Sequence, residues 1–366
     1  MTEYDVIVVG AGPAGSAAAK EIAAQGLKTL MLEEHTSVGD PDHCWGLLPM
    51  VSRPELTEEI LRSMPQSIVL REYSAMRVFT PGGKIAKEVS VKGKSDYLVR
   101  RNEFDKQLAI QAANAGADLR LNTRVTGLIK KGDRVVGVTT SSTHMPELYA
   151  KLVIGADGIS ASNKGTPKWG GLSRTDRAFI NGVTLELTNV RDIELDVYEW
   201  HTGTFSKRGW VGICPRDKFS CTTDFLSMAE FEQVKKGDYL VSKKFRDAVP
   251  VRMTGWSHPA DMGIGLPKVV ENGLMLIGSA ANLIGIVPGI VSGRYAAEVA
   301  IEAVRQGDVT IKNLSKYEEL YKNLKAPLGF MDAPPLYKCS SDEEIEKVLM
   351  ELVEKDELPF TVPIPL

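Results

Sequence analysis

Apolar positions along the chain change period several times, and each change marks an element. Val6-Ile7-Val8-Val9 is an unbroken β-branched run, the pattern of a strand buried on both faces of a parallel sheet. Ser16 to Gln25 then reads as an alanine-rich helix ended by Gly26, and Lys28 to Leu32 as a second buried strand. Met76 to Val91 gives strand-like segments around Pro81-Gly82-Gly83, a hairpin signal. Arg101 to Ala115 turns helical, with apolar Phe104, Leu108, Ile110 and Ala112 read as a spacing of three to four. Strands are expected next at Asp118 to Leu121, Arg134 to Thr140 and Leu152 to Ile154. From Ala178 to Phe225 the chain is strand-rich, and Ala229 to Ala248 predicts an amphipathic helix. Leu274 to Ile277 returns to a buried strand, and Gly289 to Val304 is helical with small residues on one face. Tyr317 to Leu324 and Asp342 to Val353 predict surface helices, separated by Ala333-Pro334-Pro335, and an extended tail runs from Pro359 to Leu366.

Between the first strand and first helix lies Gly10-Ala11-Gly12-Pro13-Ala14-Gly15, with Glu33 closing the second strand. In this frame Gly10 permits the tight turn, Gly12 admits a pyrophosphate to the backbone, and Gly15 lets helix and strand pack closely. The helix start offers unpaired N–H groups to phosphate, and Glu33 can accept ribose hydroxyls. No second such fingerprint occurs, so a single dinucleotide is expected, which favours a tightly bound flavin. The fold expected is α/β: a discontinuous Rossmann-like domain with an inserted antiparallel sheet and a short helical C-terminal segment. The expected boundaries are 1–75, 96–170 and 265–310 for the cofactor domain, 76–95 and 171–264 for the substrate domain, and 311–366 for the last segment.

Bulk properties narrow the function. The 366 residues are 43% apolar, enough for a large core, and the net charge of -3 argues against nucleic acid. Cys44, Cys214, Cys221 and Cys339 are too scattered for a metal or iron-sulfur spacing and too few for a disulfide scaffold. No metal is expected, and a reducing cytoplasm is the default. The chain enters its first strand with no basic segment before it, so no signal peptide is expected. Gly273 to Gly293 carries no charge and imitates a membrane span, but Pro288 and its many small residues read as a buried strand entering a cofactor loop.

Three further segments resemble the glutathione-reductase-type FAD fold as used by aromatic hydroxylases and, more closely, by geranylgeranyl reductases. Arg101-Asn-Glu-Phe104-Asp105-Lys-Gln-Leu108-Ala109 is similar to that family's helix start, where the resemblance gives Arg101 a place near the ribityl and phosphate region. Val153-Ile-Gly155-Ala156-Asp157-Gly158 resembles the family's Asp-Gly turn beside the pyrophosphate. Gly273-Leu-Met-Leu-Ile-Gly278-Ser279-Ala280-Ala281 stands in place of the family's Gly-Asp-Ala-Ala, so Ser279 replaces an acid and brings no charge. Gly285-Ile286 begins a stretch similar to the helix whose N-terminus faces the flavin N1 and O2, after a loop several residues shorter than in the family. Ala14 and Val125 join the implied cofactor contacts. Glu34 does so at a position where family members often carry Lys or Arg.

The resemblance implies reduction of carbon-carbon double bonds in a prenyl chain on a lipid or lipid precursor. Cys44 falls where the family places a Cys-Gly pair near the flavin. It could donate a proton to the carbon not receiving hydride, with His43 altering its ionisation; a buried structural cysteine is the plain alternative. Gly209 to Pro215 resembles the family's aromatic-rich segment lining a lipid pocket, reduced here to Trp210 with Cys214 before Pro215. Trp210, Gly212 and Cys214 share one strand face, and Trp45, with Trp200 and His201 on weaker grounds, could line the same pocket. A flavin monooxygenase acting on an aromatic or polyene substrate, and a non-catalytic flavoprotein or electron-transfer partner, stay open as alternatives. The implied partners are a hydrophobic prenyl-type substrate and an external electron donor, reduced ferredoxin or nicotinamide. A peripheral contact with a membrane is in keeping with such a substrate.

Overall fold

A computed structural model describes residues 3–48, 54–90, 96–159, 179–259, 268–283, 285–325 and 335–355. The chain begins β1 (Glu3–Val9), α1 (Pro13–Ala24), β2 (Thr29–Leu32), β3 (Leu47–Leu48), α2 (Pro54–Arg62) and β4 (Val69–Tyr73). Next come β5 (Ala75–Phe79), β6 (Ile85–Ser90), β7 (Asp96–Val99) and α3 (Arg101–Asn114). Then follow β8 (Asp118–Arg120), β9 (Val125–Lys131), β10 (Arg134–Thr140) and β11 (Glu147–Gly155). The middle of the chain holds β12 (Phe179–Thr188), β13 (Val197–Thr202), β14 (Trp210–Asp217), β15 (Ser220–Phe225), α4 (Met228–Lys236), α5 (Leu240–Phe245) and β16 (Val249–Pro259). Last are β17 (Val270–Glu271), β18 (Leu274–Leu276), α6 (Ile286–Gln306), α7 (Ile311–Lys325) and α8 (Asp342–Lys355).

Among the described residues, one eight-stranded sheet runs β17-β18-β11-β1-β2-β8, with β10 and β9 added antiparallel beside β11. β1 lies between parallel β11 and β2, which is why its side chains are apolar on both faces. α1 and α6 cross in backbone contact: a Cβ on Gly293 would lie 2.3 Å from the Ala14 carbonyl oxygen. The uncharged stretch from Gly273 folds as β18, a 3-10 turn over Gly278–Ala281 and the first turns of α6. No helix among the described residues is long and apolar enough to cross a membrane.

A seven-stranded sheet, β16-β12-β15-β14-β13-β5-β6, brings strands from both sides of the first sheet's segments together. Its two faces differ. Leu185, Leu187, Val211, Ile213 and Phe225 pack under α4 and α5 with Phe231, Val234 and Phe245. The opposite face carries Gly182, Thr184 and Glu186 on β12, paired with Trp256, Thr254 and Arg252 on β16; on β15, Asp224 pairs with Thr184 and Thr222 with Glu186.

Several elements differ from the sequence pattern. The helix expected over Ala229 to Ala248 is two, α4 and α5, because Gly237 adopts an extended conformation and ends α4. α1 starts at Pro13 rather than Ser16, since proline needs no N–H partner in a first turn. α7 begins at Ile311 and buries Leu314, Tyr317, Tyr321 and Leu324 in the core of the eight-stranded sheet. α8 instead places Leu349 against Tyr198 and Trp200. The Pro359 to Leu366 tail and the Ala333-Pro334 break lie outside the described residues.

Candidate active site

The turn after β1 is built on contact between backbones. Gly10 has φ +100°, and a Cβ there would lie 2.4 Å from the Ala156 carbonyl oxygen; one on Gly15 would lie 2.0 Å from the Gly10 oxygen. Gly12 is different, because a Cβ there would meet no protein atom within 4 Å and would project into a cavity of about 810 Å³. Glu33 is 8% exposed on the same cavity, accepting from the Ala11 N–H at 3.0 Å and lying 2.7 Å from His35 Nδ1. Glu34 pairs with Arg124 Nε at 3.3 Å, and both residues line the cavity.

Farther along, the cavity passes Ala14, Val125, Asp157 and Gly158, then Gly278, Ser279, Gly285 and Ile286. The short turn before α6 is held by several bonds. The Gly278 N–H donates to Ser292 Oγ at 2.9 Å, Ser292 Oγ donates to the Gly289 carbonyl at 2.7 Å, and the Tyr321 hydroxyl donates to the Ala281 carbonyl at 2.5 Å. Ser279 Oγ donates to the Leu283 carbonyl at 3.3 Å. Gly285, at φ +111°, then caps α6, and Gly285, Ile286 and Gly289 of this helix start line the cavity.

Opposite stands the segment from Asp42 to Trp45, with Arg101 beneath it. Arg101 makes a two-pronged pair with Asp105, Nε to Oδ1 at 3.0 Å and Nη2 to Oδ2 at 2.7 Å, and the Cys44 side chain also bonds it. Burial opposes the Arg101 charge, but Asp105 and Cys44 outweigh it and hold the guanidinium protonated above the ordinary arginine value. His43 Nδ1 lies 2.8 Å from the Gly255 carbonyl, which fixes the ring.

The remaining wall comes from the seven-stranded sheet: Asn181, Gly182 and Thr184 on β12, Asp224 on β15, and Gly255, Trp256 and Ser257 on β16. Arg208 holds Asp224 through Nη1 at 2.7 Å and stacks its guanidinium over Trp210 at 4.2 Å. Burial pushes the Asp224 carboxyl up, against the pull of Arg208. Asn181, Thr184, Asp224 and Ser257 are inconspicuous in the sequence, where each is an ordinary polar residue of a strand.

Among the expected site residues, Cys44, His43 and Trp45 lie on this cavity with the cofactor set, apart from Gly15, which packs beneath it. Trp210, Cys214 and Pro215 do not. Cys214 is fully buried in a cluster with Tyr73, Tyr198 and Trp200, and the Pro215 carbonyl accepts from the Tyr73 hydroxyl at 2.6 Å. Both faces of β14 are covered, so alternation puts Cys214 into a core instead of a pocket. His201 also points away, toward α5, where Nε2 lies 2.7 Å from Glu199 Oε2 and Lys244 Nζ is 3.2 Å from Glu199 Oε1.

A glycine cradle open to ligand, an acid at the end of β2 and a helix start aimed into one continuous cavity define an FAD-dependent oxidoreductase. Residues 5–165 match the family described as FAD dependent oxidoreductase. The chain is 33% identical to a digeranylgeranylglycerophospholipid reductase of Methanosarcina acetivorans, over 87% of this chain and 79% of that protein. It is 30% identical to one of Thermoplasma volcanium, over 88% and 84%. Among solved structures, a geranylgeranyl bacteriochlorophyll reductase-like protein of Thermoplasma acidophilum superposes with a TM-score of 0.84 at 27% identity, covering 98% of this chain and 93% of that one. A flavin-dependent brominase, at a TM-score of 0.69 and 17% identity, shares the fold. The chain belongs to the geranylgeranyl reductase family, and it is an FAD-dependent reductase.

Proposed function

We propose that this protein saturates carbon-carbon double bonds in the prenyl chains of a lipid of the digeranylgeranylglycerophospholipid type. The observation that carries the reading is the continuous cavity from the Gly12 cradle to Cys44, in a chain whose relatives are named for that reduction. Bound and reduced, FAD supplies the hydride. Gly10, Gly12 and the start of α1 hold its pyrophosphate, and Glu33 holds the adenosine ribose, with Arg124 answering Glu34 nearby. Asp157, Gly158, Val125 and Arg101 support the ribityl region. The Gly285-Ile286 helix start would lend its positive end to the bound flavin, and Ser279 would contribute a neutral hydrogen-bonding group in place of an acid.

Cys44 is the proton donor for the carbon that does not receive hydride, and Arg101 at its side stabilises the thiolate left behind. His43, held by the Gly255 carbonyl, orients that segment. Trp45 forms part of the substrate wall; Trp210 and Cys214 shape it from behind through the Trp200 cluster, and Pro215 does so through its carbonyl, which accepts from Tyr73 of that cluster. The cofactor domain comprises 1–75, 96–170 and 265–310, with 76–95 and 171–264 as the substrate domain. Electrons come from an external donor, and bleaching of the oxidised flavin band by reduced ferredoxin or by a nicotinamide nucleotide distinguishes the two. The lipid is collected by peripheral contact with a bilayer. Val249, Val251 and Met253, 49%, 65% and 58% exposed, support this, because the same strand continues into the cavity wall at Gly255. Co-sedimentation with vesicles tests the contact, and its absence would remove it. Anaerobic turnover of a geranylgeranyl lipid by reduced enzyme tests the activity; oxygen-dependent hydroxylation instead would point to a monooxygenase.

A further inference from the structure

The segment carrying Cys44 is held across the cavity almost wholly by the polar face of the seven-stranded sheet. Thr254 Oγ1 donates to the Asp42 carbonyl at 2.5 Å, and Arg252, which also pairs with Glu186 at 3.2 Å, bonds the Asp42 carboxylate. His43 is fixed to the Gly255 carbonyl. The third anchor is Trp45. Its ring stacks on Trp200 at 5.4 Å and 24°, and Trp200 in turn meets Trp210 edge-on at 4.6 Å. Gly212 makes the seat: a Cβ there would lie 2.2 Å from Trp45 Cη2 and 3.2 Å from Trp200. The space above β14 is therefore filled by an aromatic ring that arrives from residue 45, over a strand position that has no side chain.

Asp224 is 7% exposed and accepts from Arg208 at 2.7 Å, and the Arg208 guanidinium lies over Trp210, so this carboxylate braces the tryptophan cluster on which Trp45 stacks. We propose that Asp224 and Gly212 are positioning residues that set the seat of Trp45 and thereby the reach of Cys44 into the cavity. Gly212 does not line the cavity, and Asp224 is braced in its wall by Arg208. Their effect runs through one residue of backbone, since Cys44 precedes Trp45 and bonds Arg101 on the opposite side. The proposal rests on the reductase reading for its consequence in turnover, but its geometric content does not depend on any substrate.

The experiment uses FAD-loaded protein and reads two quantities: the rate at which iodoacetamide alkylates Cys44, resolved from Cys339 by peptide mass mapping, and kcat and KM for the prenyl lipid. Gly212→Ala displaces the Trp45 ring, Asp224→Ala removes the anion that holds Arg208 over Trp210, and Asp224→Asn keeps an acceptor without the charge. The two alanine variants are expected to alkylate Cys44 about tenfold faster and to lose about tenfold in kcat, the scale of one hydrogen bond to a charged group. Asp224→Asn should recover most of both. Combining Gly212→Ala with Asp224→Ala should add little to either alone, because both act through one ring. Unchanged Cys44 alkylation in Gly212→Ala, with only a lower Tm, would overturn the proposal, and this variant decides if Asp224→Ala does not fold. A change in alkylation in a protein that reduces no prenyl lipid would support the positioning role and reject the activity.

Discussion

Gly12→Ala separates the cofactor cradle from the stability of the fold more cleanly than any other substitution. Gly12 sits at φ -68° and ψ -177°, an extended conformation alanine adopts freely, and its added methyl meets no protein atom within 4 Å. Alanine stiffens the unfolded chain, worth about 0.4–1 kcal/mol in favour of folding. It is a poorer helix N-cap than glycine by a similar amount, so apo stability should stay within about 1 kcal/mol of the parent. The methyl projects where a pyrophosphate must approach, and overpacking of this kind costs about 1–3 kcal/mol. That corresponds to a loss in FAD affinity of roughly 5- to 150-fold. Gly15→Ala gives the contrast: its methyl would lie 2.0 Å from the Gly10 oxygen, so it should lower the Tm of the apo protein itself. Titration of apo protein with FAD, followed by flavin fluorescence beside a thermal melt, measures both terms. Parental FAD affinity in Gly12→Ala would refute the placement of the phosphates over this turn.

Other expectations follow from single contacts. Cys44→Ser should retain FAD and lower turnover by about a hundredfold, within the range of a lost general acid; full turnover would leave Cys44 a packing residue. Arg101→Ala strands Asp105, whose side chain is 7% exposed, and should cost about 3–5 kcal/mol in urea denaturation, most of it recovered in the double variant with Asp105→Ala. Burial lowers the His201 pKa below the ordinary value of 6.5, against the pull of Glu199. Below pH 6.5 the unfolded chain therefore takes up a proton that the native state refuses, and stability should fall as pH drops through this window. His201→Gln should flatten that part of the Tm profile; an unaltered slope would show that other groups set it.

The nucleotide half was legible because its chemistry is local. Gly10, Gly12, Gly15 and Glu33 fall within one strand-helix-strand unit, and a single stretch of sequence carries both the geometry and the reason for it. The wall across the cavity was not, because Thr184, Asp224 and Ser257 come from three strands and meet only through register. β16 was hidden by its own pattern: it is an edge strand containing Pro250, and its exposed residues Val249, Val251 and Met253 are apolar while Arg252 and Thr254 face inward. Alternation placed Trp210, Gly212 and Cys214 on one face, and contacts with Trp45 and Trp200 lie on that face. What alternation could not tell is that the face is roofed by a tryptophan from residue 45, which moves Cys214 from pocket to core.

The measurement closest to the central claim is mass spectrometry of a geranylgeranyl lipid after anaerobic incubation with the dithionite-reduced, FAD-loaded protein. The account predicts products that gain two hydrogens for each double bond reduced, with the yellow oxidised flavin returning as product forms. An unaltered lipid beside fully loaded, fully reduced flavin would contradict it.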